Sequence, residues 1–171
     1  LISAVLDANE NTVIAVTAGS PVDMEVFADR AKAIVYSSYN GMEGGLAMAE
    51  VLLGRVNPSG RLPFTITKRL EDCPAHSIGE FPGGDTVAYR ESVYVGYRYY
   101  ETERKAVRYC FGHGLSYTEF SYGNLKLERR EDGIYGTVTV RNCGYAAGAE
   151  VVEIYVGAAG KTVKRPAREL K

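Results

Sequence analysis

Gly41-Met42-Glu43-Gly44-Gly45 stands between an apolar run and a helical pattern, a place where backbone N–H groups can converge on an anion. Its spacing matches neither G-x-x-x-x-G-K-[ST] nor G-x-G-x-x-G, so close packing of a helix start on a sheet is expected rather than phosphate binding. Cys73, Cys110 and Cys143 are widely spaced and form no C-x-x-C pair. They read as buried or half-buried free thiols, not as a disulfide framework or a metal centre. His76 and His113 are the two histidines and lack metal-ligand spacing, so no metal and no cofactor is expected. Tyrosine is the unusual residue: there are 13, with no tryptophan, clustered between Tyr89 and Tyr122. An aromatic face with a hydroxyl suits a sugar, but it also packs domain interfaces, and the interface reading is preferred.

Composition sets the frame for these residues. The 171-residue chain is 46% hydrophobic with a formal net charge of -1, which suits one or two globular domains and gives no reason to expect a nucleic acid or an anionic membrane as partner. No apolar run approaches the roughly 20 residues that cross a bilayer. The opening Leu1-Ile2-Ser3-Ala4-Val5-Leu6 has no signal-peptide pattern and no initiating Met, so the chain is expected to start inside a longer protein, and its compartment stays open.

The elements expected to carry these residues begin with a helix over Leu1 to Ala8. A strand buried on both faces follows over Thr12 to Ala18, then a short helix over Val22 to Arg30 and a second strand over Ala31 to Ser37. That alternation is the signature of an α/β sheet. A helix over Leu46 to Leu53, apolar on most sides, reads as buried. Asn57-Pro58-Ser59-Gly60 reads as a turn, Arg61 to Thr67 as an extended segment, and 68–88 as a long surface loop. Tyr89, Val93, Val95 and Tyr97 alternate, so Val87 to Tyr100 reads as β-type. From Phe120 onward short strands are expected: Ile134 to Arg141, with Ile134, Val138 and Val140 on one face, then a turn at Asn142-Cys143-Gly144 and a strand over Val151 to Val156.

Asn57-Pro58-Ser59-Gly60-Arg61-Leu62-Pro63, with the Gly41–Gly45 loop before it, resembles the C-terminal α/β domain of family 3 glycoside hydrolases. Val95-Gly96-Tyr97-Arg98-Tyr99-Tyr100 and Phe111-Gly112-His113-Gly114-Leu115-Ser116-Tyr117-Thr118 fit the same family. Val140 to Gly144, Gly148 to Val152, Arg165-Pro166 and Glu169-Leu170-Lys171 resemble the fibronectin III-like domain that closes many β-glucosidases of this family. Asn40, Thr67 and Cys110 depart from the family pattern where prolines are common. The implied fold is α/β: a partial α/β sandwich with a mainly parallel sheet over residues 1–119, including the long connection. A truncated all-β immunoglobulin/fibronectin III-like sandwich follows over 120–171.

The resemblance implies a retaining, exo-acting β-glycosidase, most often a β-glucosidase, acting on a β-linked glucoside or oligosaccharide. Such an enzyme needs two carboxyl groups about 5–5.5 Å apart. In the family the nucleophilic Asp lies on an N-terminal barrel and the acid/base Glu upstream of the strand that resembles Thr12 to Ala18. No catalytic residue is therefore assigned in this chain, its substrate-binding residues are left unassigned, and the barrel is the missing partner. Glu43, Glu91, Glu101 and Glu150 are carboxylates near the motifs, each read first as structural: Glu43 as a helix-start charge, and Glu91 as an ion-pair partner of Arg98. Tyr39, next to the glycine loop, is within reach of a substrate subsite on this resemblance but is not assigned to one. A non-catalytic carbohydrate- or protein-binding scaffold is the alternative reading.

Overall fold

β1 (Val13–Thr17) and β2 (Ala33–Ser37) run parallel, in register from Val13 opposite Ala33 to Thr17 opposite Ser37, in the computed structural model, which describes residues 1–157, 160 and 163–171. Only one face of β1 is covered: Ile14 is buried and Val16 packs on the core, whereas Val13 is half exposed. The two-sided burial expected from its composition therefore does not occur. The chain gathers into two units, Leu1–Met42 with Arg61–His113 and Glu153–Lys171, and Glu43–Gly60 with Gly114–Val152.

In the first unit, α1 (Ile2–Ala8) contributes Leu6 to a core completed by Ile14, Met24, Phe27 and Ile66. Seven residues make too short a helix to persist unaided, so burial of its apolar side holds it. The helix expected over Val22 to Arg30 is instead a succession of turns. The Met24 carbonyl accepts N–H groups from Phe27 and Ala28, and the Phe27 carbonyl accepts them from Arg30 and Ala31. Asp23 Oδ1 takes the Glu25 N–H at 2.9 Å, a local bond that competes with helix continuation. What this segment contributes is two anchors, Met24 and Phe27, spaced to enter one core. β3 (Ile66–Thr67) pairs antiparallel with β4 (Val107–Tyr109), and Leu62 exchanges backbone bonds with Gly112 and His113 at 2.9 Å each.

The loop expected over 68–88 contains a 3₁₀ turn (Leu70–Asp72) and one helical turn, α2 (Pro74–Ser77), which begins with the residue best suited to that position. The β-type reading of Val87 to Tyr100 is overturned: turns lead to α3 (Tyr97–Thr102). Gly96, at φ 53 and ψ -139, aims the chain into this helix. At the far end Lys105 N–H bonds to the Tyr100 carbonyl at 2.8 Å and Arg104 sits at φ 52, a left-handed closure that usually takes glycine. β5 (Tyr155–Val156) pairs antiparallel with β6 (Glu169–Leu170); the strand expected over Val151 to Val156 shrinks to these two residues.

The second unit holds α4 (Gly44–Leu52) and a long hairpin of β7 (Phe120–Arg130) and β8 (Gly133–Asn142). No residue of α4 is buried and Leu46 is 60% exposed, against the expectation of a helix covered on most sides. Its apolar composition describes what it needs, not what these residues supply. The register puts Tyr122 opposite Val140 and Leu127 opposite Gly136, so Ile134, Val138 and Val140 share one face with them, as the alternation predicts. The ladder breaks between Gly123 and Lys126, where Asn124 is at φ 54. The turn expected at Asn57–Gly60 lies earlier, around Gly54 at φ 71, and Asn57 serves as a hub. Its Nδ2 donates to the Ala147 carbonyl at 2.9 Å, and its Oδ1 accepts Ser116 Oγ at 2.9 Å and Tyr117 N–H at 2.8 Å. The fold is thus mixed α/β with small sheets; the expected mainly parallel sheet reduces, among the described residues, to one parallel pair beside three antiparallel ones.

Candidate functional site

The carboxyl ends of parallel strands are where open α/β sheets bind ligands. Here β1 and β2 end in two facing hydroxyls, Thr17 Oγ1 and Ser37 Oγ, 3.2 Å apart. Beyond them Tyr36 OH donates to the Ser20 carbonyl at 2.5 Å, and the Tyr39 ring lies against Gly19. Burial, then the neighbouring Tyr39, pushes the Tyr36 hydroxyl above its ordinary pKa, so it stays a donor. Tyr39 itself is 79% exposed.

The tyrosine-rich segment serves a different purpose. On α3, Tyr97 OH accepts the Leu170 N–H at 2.8 Å, and Thr102 Oγ1 accepts the Ala167 N–H at 2.9 Å. Glu101 receives two bonds from Arg168, at 2.6 and 2.5 Å, while Arg98 faces Glu169 at 3.6 Å. Arg168 lies over the Tyr155 ring, which meets Tyr97 edge-on at 5.6 Å. Burial, then the bond to Glu153, holds the Tyr155 hydroxyl protonated well above its usual range. Glu153 also occupies the space where a Cβ on Gly112 would project. These contacts are an internal clasp within the first unit, binding its 97–102 helix to its C-terminal segment.

A second ionic knot joins β4 to the Met24–Phe27 turns. Arg108 bonds Glu25 at 2.6 and 2.8 Å and Asp29 at 2.5 Å. Those bonds hold both carboxyls below their ordinary range and Arg108 above its own. Asp72, 8% exposed, is likewise lowered, first by its bonds to Arg69. The thiols are free, but only Cys73 is half-buried; Cys110 and Cys143 are exposed, contrary to expectation. Among the described residues no cluster of His, Cys, Asp and Glu could hold a metal ion, and no helix is long and apolar enough to cross a membrane.

The family model for the glycosyl hydrolase family 3 C-terminal domain matches residues 1–117. The chain belongs to glycosyl hydrolase family 3. It is 44% identical over its whole length to "Probable beta-glucosidase I" of Aspergillus flavus and 41% identical to a β-glucosidase of Bacteroides ovatus. It spans 21% and 24% of those proteins. Among solved structures, the Bifidobacterium adolescentis family 3 β-glucosidase superposes with a TM-score of 0.93 at 40% identity, over 99% of this chain and 25% of that one. The β-glucosidase of Kluyveromyces marxianus in complex with glucose gives 0.93 at 41% identity, over 99% of this chain and 20% of that one.

Within this family 3 chain the four candidate glutamates are dispersed into separate local settings. Glu101 is held in the clasp, and Glu150 accepts the Tyr122 hydroxyl at 2.7 Å. Glu43 is the exposed residue at the start of α4 and makes no side-chain cap. Glu91 Oε2 is buried without a hydrogen bond among the described residues. Its expected partner Arg98 instead faces Glu169, because α3 starts at Tyr97 and turns Arg98 toward the C-terminal segment. Sequence reasoning missed Arg108 and Arg168 as organisers. Their partners stand 83 and 67 residues away, beyond any local pattern, though Arg168 lies between Arg165-Pro166 and Glu169-Leu170-Lys171, two motifs already singled out.

Proposed function

We propose that this chain is the C-terminal portion of a retaining, exo-acting β-glycosidase that releases terminal non-reducing β-D-glucosyl residues, and that it braces the sugar site without supplying the catalytic carboxylates. The observation that carries this is how the four glutamates are used. Glu101 and Glu150 are committed to Arg168 and Tyr122, Glu91 is sealed at one oxygen, and Glu43 sits at a helix start. Retaining hydrolysis asks instead for two carboxyl groups facing one bond, about 5–5.5 Å apart. The substrate class comes from the names of the relatives.

The uncovered apolar surfaces support the rest of the reading. α4 has no buried residue, and the hairpin leaves Leu127, Ile134, Val138 and Val140 exposed on one face. A two-stranded ribbon needs a further layer to be stable. On this reading residues 1–119 finish an α/β sandwich, 120–171 begin a fibronectin III-like sandwich, and an N-terminal barrel in the parent chain carries the nucleophile. The test is an assay on a chromogenic β-glucoside. The parent enzyme turns it over and residues 1–171 alone do not; turnover by this chain, or a covalent glycosyl adduct on one of its carboxylates, overturns the reading.

A further inference from the structure

The carboxyl edge of β1 and β2 carries an aromatic ring that nothing in the fold accounts for. Tyr39 is 79% exposed, and its ring lies close over Gly19: a Cβ added there would come within 2.8 Å of Tyr39 Cε2. Glycine at that position lets the ring rest on the backbone. The strand exit beneath it is fixed: Tyr36 OH holds the Ser20 carbonyl at 2.5 Å, and Ala18 N–H pairs with the Ser37 carbonyl at 3.1 Å. The Tyr39 hydroxyl has no partner among the described residues, and the paired Thr17 and Ser37 hydroxyls end the same two strands. An exposed ring lying over a glycine backbone, with hydroxyls at the same edge, has the chemistry that a pyranose requires: an apolar face to cover its C–H groups and polar atoms for its hydroxyls.

We propose that Tyr39, seated on Gly19, is the platform on which the pyranose of the substrate's leaving side stacks. This rests on the exo-glycosidase reading above. An enzyme that removes the terminal glucosyl residue places every other sugar of its substrate on the leaving side. A wall without reacting carboxylates touches the substrate away from the bond being cut.

The experiment compares a β-linked glucose disaccharide with methyl β-glucoside, which has no second ring, in the parent enzyme. In Tyr39→Ala, kcat/KM for the disaccharide falls about tenfold relative to that for methyl β-glucoside, chiefly through KM, and Tyr39→Trp restores it. Gly19→Ala unseats the ring and moves the same ratio in the same direction, a second route if Tyr39→Ala fails to fold. An unmoved ratio in the folded variants, or an equal loss on both substrates with a lowered Tm, assigns Tyr39 to packing and overturns the proposal. If the unsubstituted parent cleaves neither substrate, the glycosidase reading fails first; cleavage with an unmoved ratio sinks the platform alone.

Discussion

The two units solve the problem of cohesion differently. The first closes Met24 (1% exposed) and Ile66 (2%) into a core and adds side-chain knots at Arg108 and Arg168. The second relies on a backbone ladder and on polar bonds from Asn57, Tyr117 and Thr118, and its hairpin presents Leu127, Ile134, Val138 and Val140 to solvent on one face. The first unit thus encloses the apolar side chains it gathers, whereas the second leaves its hairpin side chains exposed.

Truncating a core side chain tests that difference most strongly. Met24→Ala removes a fully enclosed side chain and should cost about 2–5 kcal/mol, read as a shift in denaturant midpoint. Ile134→Ala on the open hairpin face should stay within about 0.5 kcal/mol in the same chain. Equal losses would mean that the ribbon face is covered after all, by another copy or by rearrangement.

Glycine replacement gives a smaller contrast. Gly112 is at φ 78, and a new Cβ would collide with Glu153, whereas an added Cβ at Gly123 meets nothing within 4 Å. Gly112→Ala should destabilise by about 1–2 kcal/mol from backbone handedness, with loosening of the clasp in addition. Gly123→Ala should be close to neutral, and thermal melts of the two variants decide the comparison.

The smallest effect is a pH dependence confined to the first unit. Burial, then the charge of Arg61, lowers the pKa of His113, which stacks on Tyr109 at 4.8 Å. The unfolded chain therefore binds that proton more readily than the fold does. The contribution of neutral His113 is complete above about 6.5 and is lost as pH falls from there toward the lowered folded value. Asp72, Glu25 and Asp29 are shifted the same way, but as carboxylates they lose their contribution only at more acid pH. A stability profile in which His113→Gln abolishes the upper step and leaves the lower one would separate the two.

Local pattern made much of this fold legible. α1 and α4 stand close to where helical spacing places them, β1 and β2 where short apolar runs do, and β8 where residues alternate; its partner β7 carries no pattern that singles it out. Val22–Arg30 and Val87–Tyr100 were misread where a few residues carry long-range duties. Met24 and Phe27 are spaced for a core rather than a helix, and alternation around Tyr97 concealed a helix that exists to engage 167–170. Burial departs from expectation at α4, whose apolar composition is not matched by covering side chains among the described residues. At the candidate site, Tyr39 was visible as a residue beside the glycine loop, but its seat on Gly19, twenty positions earlier, required the fold.

Asn57 carries one more lesson, about the chain's history rather than its energy. Its three bonds reach across 59, 60 and 90 positions, and the cost of closing a flexible loop grows only with the logarithm of its length, about 0.6 kcal/mol per doubling. The loop-closure cost of such a knot hardly registers how much sequence lies between its ends. The interval it spans could therefore lengthen or shorten in descendants while the asparagine kept its grip.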